Sequence, residues 1–202
     1  MDLSRSFKAY DVRGRIPDEI NPDAVYRIGR AYAAWLRPRR VAVGRDIRQS
    51  SEEFANALIS GLTESGVDVV DIGLCGTECV YFATATLGLD GGVMVTASHN
   101  PPDYNGLKFV REQAKPVSGD TGLQEIRKLA ESAGSSAEQI EDLIRELEEE
   151  SKRIAQTTLA MRDDVRGGRQ DLEAIFAALE KVQGAVGEAS QRAEDIFQKA
   201  GS

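Results

Sequence analysis

The sequence predicts an α/β fold, a mainly parallel mixed sheet with helices on both faces, followed by an all-α tail that is either a coiled coil or a helical hairpin. Three observations carry the prediction. Short apolar runs alternate with helical stretches through the first 133 residues, the pattern of βαβ units. After Ala133 proline disappears, and Glu, Ala, Gln, Arg and Leu dominate. From Ile140 onward apolar positions recur in alternating steps of four and three, which is a heptad seam.

The elements follow in order. Val41 to Gly44 reads as a short buried strand. Ser51 to Ser65 is an amphipathic helix with Phe54, Leu58, Ile59 and Leu62 on one face. Val67 to Ile72 is the next strand, Thr77 to Leu87 a helix and Gly91 to Ala97 a third strand. Asn105 to Val110 forms a further strand after the Pro101-Pro102 turn, and Gly119 to Ser132 closes with a helix. All six prolines lie at or before Pro116, and the sole Trp and all five Tyr at or before Tyr104. A boundary near Gly134-Ser135-Ser136 therefore divides residues 1–133 from 134–202.

The seam runs from Ile140 through Ile144 and Leu147 to Ala193, Ile196 and Ala200, weakened in its middle by Ser151, Thr158 and Gly168. Two outcomes compete. One is a single long helix that pairs with another chain. The other is an antiparallel hairpin that breaks at Gly167-Gly168, with Asp171 near the start of its second helix. Two adjacent glycines cost roughly 2 kcal/mol inside a helix, which tilts the expectation toward the hairpin. Either form is packing rather than chemistry, and Glu148-Glu149-Glu150 reads as a solvated face.

Composition narrows the function classes. The net charge is −8, of which −6 lies in residues 134–202, and such a surface repels nucleic acid. No apolar run approaches the ~18 residues of a membrane span. No apolar h-region follows Met1 to Phe7, so a soluble cytoplasmic protein is expected. Cys75 and Cys79 have no second Cys/His pair to complete a zinc site and read as reduced thiols.

Four polar segments exceed what a core needs: Phe7 to Gly14, Gly44 to Arg48, Thr96 to Pro102 and Asp103 to Lys108. Ser98 stands at the end of a buried strand, where open α/β sheets keep their sites. His99 is the only histidine, but neighbouring side chains on an extended segment point apart. No Gly-x-Ser-x-Gly elbow is present, so a Ser-His hydrolase is disfavoured. Arg13, Arg45, Arg48 and Lys108 are cations able to hold phosphate oxygens.

Taken together, Phe7-Lys8-Ala9-Tyr10-Asp11-Val12-Arg13-Gly14, Val43-Gly44-Arg45-Asp46-Ile47-Arg48, Thr96-Ala97-Ser98-His99-Asn100-Pro101 and Asp103-Tyr104-Asn105-Gly106-Leu107-Lys108 resemble the α-D-phosphohexomutase family. Its bacterial phosphomannomutase/phosphoglucomutase members also carry a Gly-Thr-Glu segment, present here as Gly76-Thr77-Glu78. The resemblance covers about residues 4–132, the family's first domain. It implies that Ser98 is a phosphoserine exchanging phosphoryl groups with hexose phosphates, mannose 1-phosphate and mannose 6-phosphate foremost. It implies Lys108 and Arg13 as acid/base candidates, and Tyr10, His99 and Asn100, with Arg45 and Arg48, as support for the phosphate site. It also implies Mg²⁺, to which Ser98 contributes a phosphate oxygen.

The sequence departs from the family in length. The Asp-rich metal loop, the sugar-recognition loop and the phosphate loop of the family's later domains have no counterpart here, and one serine does not make an Mg²⁺ shell. The expectation is an incomplete metal site and little or no mutase turnover. The tail does not resemble the family. Gly134-Ser135-Ser136 and Gly201-Ser202 read as joints of a truncated or chimeric chain, or of a natural fragment serving as an assembly module. The alternative function is then a non-catalytic interaction protein whose tail, over 137–200, drives homo-oligomerisation or binds a helical partner.

Overall fold

In the computed structural model, residues 2–200 are described, with side chains described except at 138 and 193–200. Gly201-Ser202 lies outside the described residues, as do the side chains of Ala193, Ile196 and Ala200. Among the described residues six strands and four α-helices follow in the order β1 (Val12–Arg15), α1 (Pro22–Leu36), β2 (Arg40–Arg45), α2 (Ser51–Thr63), β3 (Asp68–Leu74), α3 (Thr77–Thr86), β4 (Gly91–Val95), β5 (Tyr104–Arg111), β6 (Lys115–Pro116) and α4 (Leu123–Ala200). One compact unit runs to Ile140 and a second begins at Glu141.

The sheet of the first unit has the order β1-β5-β4-β2-β3, with β6 beside β5. It is mixed, and its parallel part is confined to β4, β2 and β3. β5 runs antiparallel to β4, β1 and β6. The reason is the length of the preceding connection. Only residues 96–103 separate β4 from β5, too few for a crossover to a parallel neighbour, which takes a dozen or more.

Both faces of the central strands are apolar, so the sheet is covered on both sides. Val41, Val43, Val93 and Val95 point to one face and pack under α1, α2 and the first turns of α4. Ala42 and Met94 point to the other and meet Val80 and Ala83 of α3. α2 buries Phe54, Leu58 and Leu62 completely, as its 3.6-residue period requires. α1, absent from the sequence reading, starts at Asn21, whose side chain accepts the Ala24 N–H at 2.8 Å, with Pro22 following as the first helical residue. α1 and α2 approach closely through glycines: a Cβ at Gly29 would lie 2.9 Å from the Leu58 carbonyl, and one at Gly61 would collide with the Tyr26 carbonyl.

α4 departs from expectation twice. It starts at Leu123, after a 3-10 turn at Gly119–Thr121, and passes through Gly134-Ser135-Ser136 without a break. It also passes through Gly167-Gly168, which overturns the hairpin. The glycine cost is real, but a chain break there would forfeit the hydrogen bonds of two helix ends. The flanking residues Arg166, Arg169 and Gln170 are good helix formers. Leu123, Ile126 and Ala130 are fully buried, whereas Ile144, Leu172 and Val186 are 51%, 56% and 61% exposed. Among the described residues, no helix is long and apolar enough to cross a membrane.

Candidate active site

Because β2 and β4 are parallel neighbours, the segments that follow them emerge side by side. Residues 46–50 leave β2, and residues 96–103 leave β4. Asp46 ties them: its backbone N–H donates to the Val95 carbonyl at 3.0 Å. β5 re-enters the sheet beside them, and Asn105, fully buried, donates through Nδ2 to the hydroxyls of Ser50 at 2.8 Å and Ser51 at 3.0 Å.

Ser98 is exposed and takes a left-handed backbone conformation, φ 55°. A non-glycine residue in that region costs of order 1–3 kcal/mol and persists only where surrounding contacts hold it. Those contacts form a ring. The Ser98 N–H donates to Thr96 Oγ1 at 2.9 Å, and Thr96 Oγ1 donates to Asp46 Oδ2 at 2.7 Å. Asp46 Oδ1 accepts from the Ser51 hydroxyl at 2.5 Å and the Arg48 N–H at 3.1 Å. Arg48 closes the ring: its Nε lies 3.3 Å from Asp46 Oδ2, while Nη2 donates to the carbonyls of Ser98 (2.8 Å) and Asn100 (2.7 Å). Its Nη1 donates to the carbonyls of Pro101 (2.7 Å) and Tyr104 (3.0 Å). A guanidinium has five N–H donors; four donate to main-chain carbonyls, and the fifth, on Nε, stands at ion-pair distance from Asp46.

Asn100 is likewise turned inward, donating from Nδ2 to the Ala97 carbonyl at 2.7 Å. His99 stays exposed, with Nδ1 3.3 Å from Ser98 Oγ. The expectation that these two side chains point apart fails, because the left-handed turn at Ser98 replaces the extended segment on which it rests. Among the described contacts His99 has no carboxylate partner, so the third group of a hydrolytic triad does not accompany the pair.

Arg13 and Lys108 meet on Asp11, a residue whose pairing role was not read from the sequence. Asp11 is 3% exposed; Arg13 Nε reaches its Oδ1 at 2.8 Å, and Lys108 Nζ its Oδ2 at 3.7 Å. The register explains the meeting: Val12 pairs with Leu107 and Arg13 with Gly106 across β1 and β5, so Asp11 stands opposite Lys108. Gly106 is required there, since a Cβ would collide with the Val12 carbonyl. Its own carbonyl accepts the Thr96 N–H at 2.9 Å, linking the strand of Lys108 to the serine segment. Tyr81 of α3 lies in the same neighbourhood: burial, then Glu78 and Asp11, push its hydroxyl pKa up.

The remaining expected residues make no hydrogen bond to this cluster among the described contacts. Tyr10 is 79% exposed. Arg45 ends β2 and has only a loose ion pair, 3.9 Å to Asp71. The Cys75 thiol is pushed up by burial and by neighbouring Cys79. Mg²⁺ requires an oxygen shell of near-octahedral order. Here Asp46 and Asp11 are committed to Arg48, Thr96, Ser51, Arg13 and Lys108. Among the described residues no three His, Cys, Asp or Glu side chains cluster to hold a metal. The residues present do not fit the ion.

The pattern of the family described as phosphoglucomutase/phosphomannomutase, alpha/beta/alpha domain I, matches residues 4–137. A phosphomannomutase of Salmonella typhimurium is 59% identical over 126 residues, covering 62% of this chain and 28% of that protein. A phosphomannomutase of Klebsiella pneumoniae is 60% identical over 125 residues, covering 62% of this chain and 80% of the relative. The crystal structure of a phosphoglucomutase/phosphomannomutase family protein from Burkholderia thailandensis superposes with a TM-score of 0.60 at 39% identity, over 66% of this chain and 31% of that one. The chain thus spans less than a third of the Salmonella and Burkholderia proteins. Through its α/β/α unit, it belongs to the phosphoglucomutase/phosphomannomutase family.

Proposed function

We propose that Ser98 carries a phosphoryl group and exchanges it with a hexose phosphate, mannose 1-phosphate and mannose 6-phosphate foremost. The observation that carries this reading is the exposed Ser98 hydroxyl on a segment fixed by Arg48, Thr96 and Asp46. In the first transfer the bond between Ser98 Oγ and phosphorus breaks as a sugar hydroxyl oxygen bonds to phosphorus, and the hydroxyl proton leaves to a base. In the second, the other phosphoryl group of the bisphosphorylated sugar passes to Ser98 Oγ, and a proton returns to the sugar oxygen. Lys108 and Arg13, gathered on Asp11, are the groups we assign to that proton traffic and to the developing charge. Tyr10, His99, Asn100 and Arg45 would shape the phosphate site. Arg48 serves by holding the loop rather than by binding phosphate, since four of its five donors go to main-chain carbonyls and the fifth faces Asp46.

We take residues 1–133 as the carrier domain and 134–202 as a separate helical module, in a cytoplasmic protein; two free thiols suit a reducing compartment. Intact mass after incubation with a hexose 1,6-bisphosphate tests the carrier. A gain of about 80 Da, one phosphoryl group, is expected and is lost in Ser98→Ala. No gain in the parent chain overturns the proposal. Turnover of mannose 1-phosphate by this chain alone is expected to be near zero; robust turnover in a coupled assay would contradict that.

A second reading concerns the tail. Ten large apolar side chains at seam positions from Ile144 to Val186 are each more than half exposed, which favours self-association through this helix.

A further inference from the structure

We propose that the tail pairs with a second copy of this chain, parallel and in register, through residues 144–186 of α4. The proposal rests on the self-association reading above and adds its geometry. Ile144, Leu172 and Val186 fall at heptad position a, and Leu147, Ile175 and Val182 at d. All six are more than half exposed, on a helix that is continuous through this stretch. At roughly 60 Å² per side chain, the low end of what transfer free energies imply, ten from each copy bury about 1,200 Å². That reaches the size of a stable interface.

Charge fixes the orientation. In the middle of the seam the e positions are Arg162 and Arg169, and the g positions are Asp164 and Asp171. A parallel pair sets each g residue against the e residue of the partner's next heptad. Asp164 then meets Arg169 of the second copy, twice by symmetry. An antiparallel pair sets e against e and g against g. In the two antiparallel registers that overlap 144–186 most fully, Arg162 meets Arg169 or Arg162 of the second copy. Asp164 meets Asp171 or Asp164. Every one of these is a like-charge contact, unfavourable where side chains face directly. Arg169 also reaches Glu173 of its own helix through Nε at 3.2 Å, yet its side chain is 81% exposed, so a partner still has access to it.

The full chain answers this in two steps. Sedimentation equilibrium is expected to give a dimer; a chain that stays monomeric at every concentration overturns pairing itself. Charge reversal then reads the orientation. Arg169→Glu is expected to raise the dimer Kd about tenfold at low salt, less at high salt, because a carboxylate at 169 faces Asp164. Combining Asp164→Arg with Arg169→Asp restores it. A dimer that Arg169→Glu leaves unchanged or tightens keeps self-association and overturns the parallel orientation. Independently, Val186→Cys in a chain with Cys75→Ser and Cys79→Ser should form an inter-chain disulfide under mild oxidation. Only parallel, in-register chains bring residue 186 to its own copy within disulfide reach, so a dimer without that bond also overturns it.

Discussion

Leu58 and Leu172 are the same residue in the same kind of amphipathic helix, yet Leu58 is fully buried and Leu172 is 56% exposed. In the first unit the apolar stripes of α1, α2 and the first turns of α4 close on the sheet and on one another, inside the chain. Beyond Ile140 the stripe continues with equal regularity and has no intramolecular cover among the described residues. Periodicity states that a helix needs a covering surface; it does not state whether that surface belongs to the same chain.

The largest effect separating the two regions should come from one substitution made in each. Leu58→Ala is expected to cost about 2–5 kcal/mol, with a urea midpoint independent of protein concentration. Leu172→Ala should leave the unfolding of the first unit unchanged. Equal losses from both variants would mean that the seam is covered within the chain, and the comparison would fail.

Next is Arg48→Ala. Its hydrogen bonds hold the serine segment, and charged hydrogen bonds contribute about 1.5–3 kcal/mol, so a loss of that size is expected in thermal or urea melts. Phosphoryl uptake by Ser98 should fall with it. Arg48→Lys should not rescue either, since an ammonium lacks the planar fork that spans four carbonyls.

Glycine sharpens the contrast within one helix. A Cβ at Gly167 or Gly168 meets nothing within 4 Å, whereas a Cβ at Gly134 would collide with Arg27 Nη1. Gly167→Ala and Gly168→Ala should each stabilise the tail helix by about 1 kcal/mol, read as retained ellipticity on heating. Gly134→Ala should gain less than either, since the Arg27 guanidinium must first swing aside.

The smallest effect is pH-dependent and confined to the first unit. Backbone N–H groups of Arg40 and Arg39 hold the Asp90 carboxyl below its ordinary range. That stabilisation is present above the ordinary value of about 4 and is lost as pH falls through the lowered folded value. Asp90→Asn should remove this part of the acid loss, by less than about 1 kcal/mol since the side chain is largely solvated. The tail's ellipticity should not respond.

How much of this was legible in the sequence follows from where each signal resides. α2 and β4 announce themselves through large apolar residues at helical spacing and in an unbroken run. α1 is missing from the sequence reading although its signals are present: Val25, Ile28 and Tyr32 are fully buried at helical spacing, and Asn21-Pro22 marks its start. β1 was read only as a polar motif, since Val12-Arg13-Gly14-Arg15 offers one large apolar residue. The family motifs brought Ser98, Lys108 and Arg13 to notice, but the pairing of both cations on Asp11 depends on β-register. Arg48 was expected near phosphate; its partners are main-chain carbonyls, which have no signature in a sequence. The helix through Gly167-Gly168 runs against the sequence expectation because the cost of two glycines is local, whereas a break there creates two helix ends.

The Arg48 clamp also has an entropic consequence. Ordering a backbone costs roughly 1–2 kcal/mol per residue, and in a free loop that cost falls on whatever ligand arrives. Here the segment from Ser98 to Tyr104 is ordered when the domain folds, by a side chain that needs no ligand to act. If Ser98 is the carrier proposed above, a sugar phosphate meets a preorganised acceptor, and its binding energy is left for alignment and charge stabilisation rather than for building the loop.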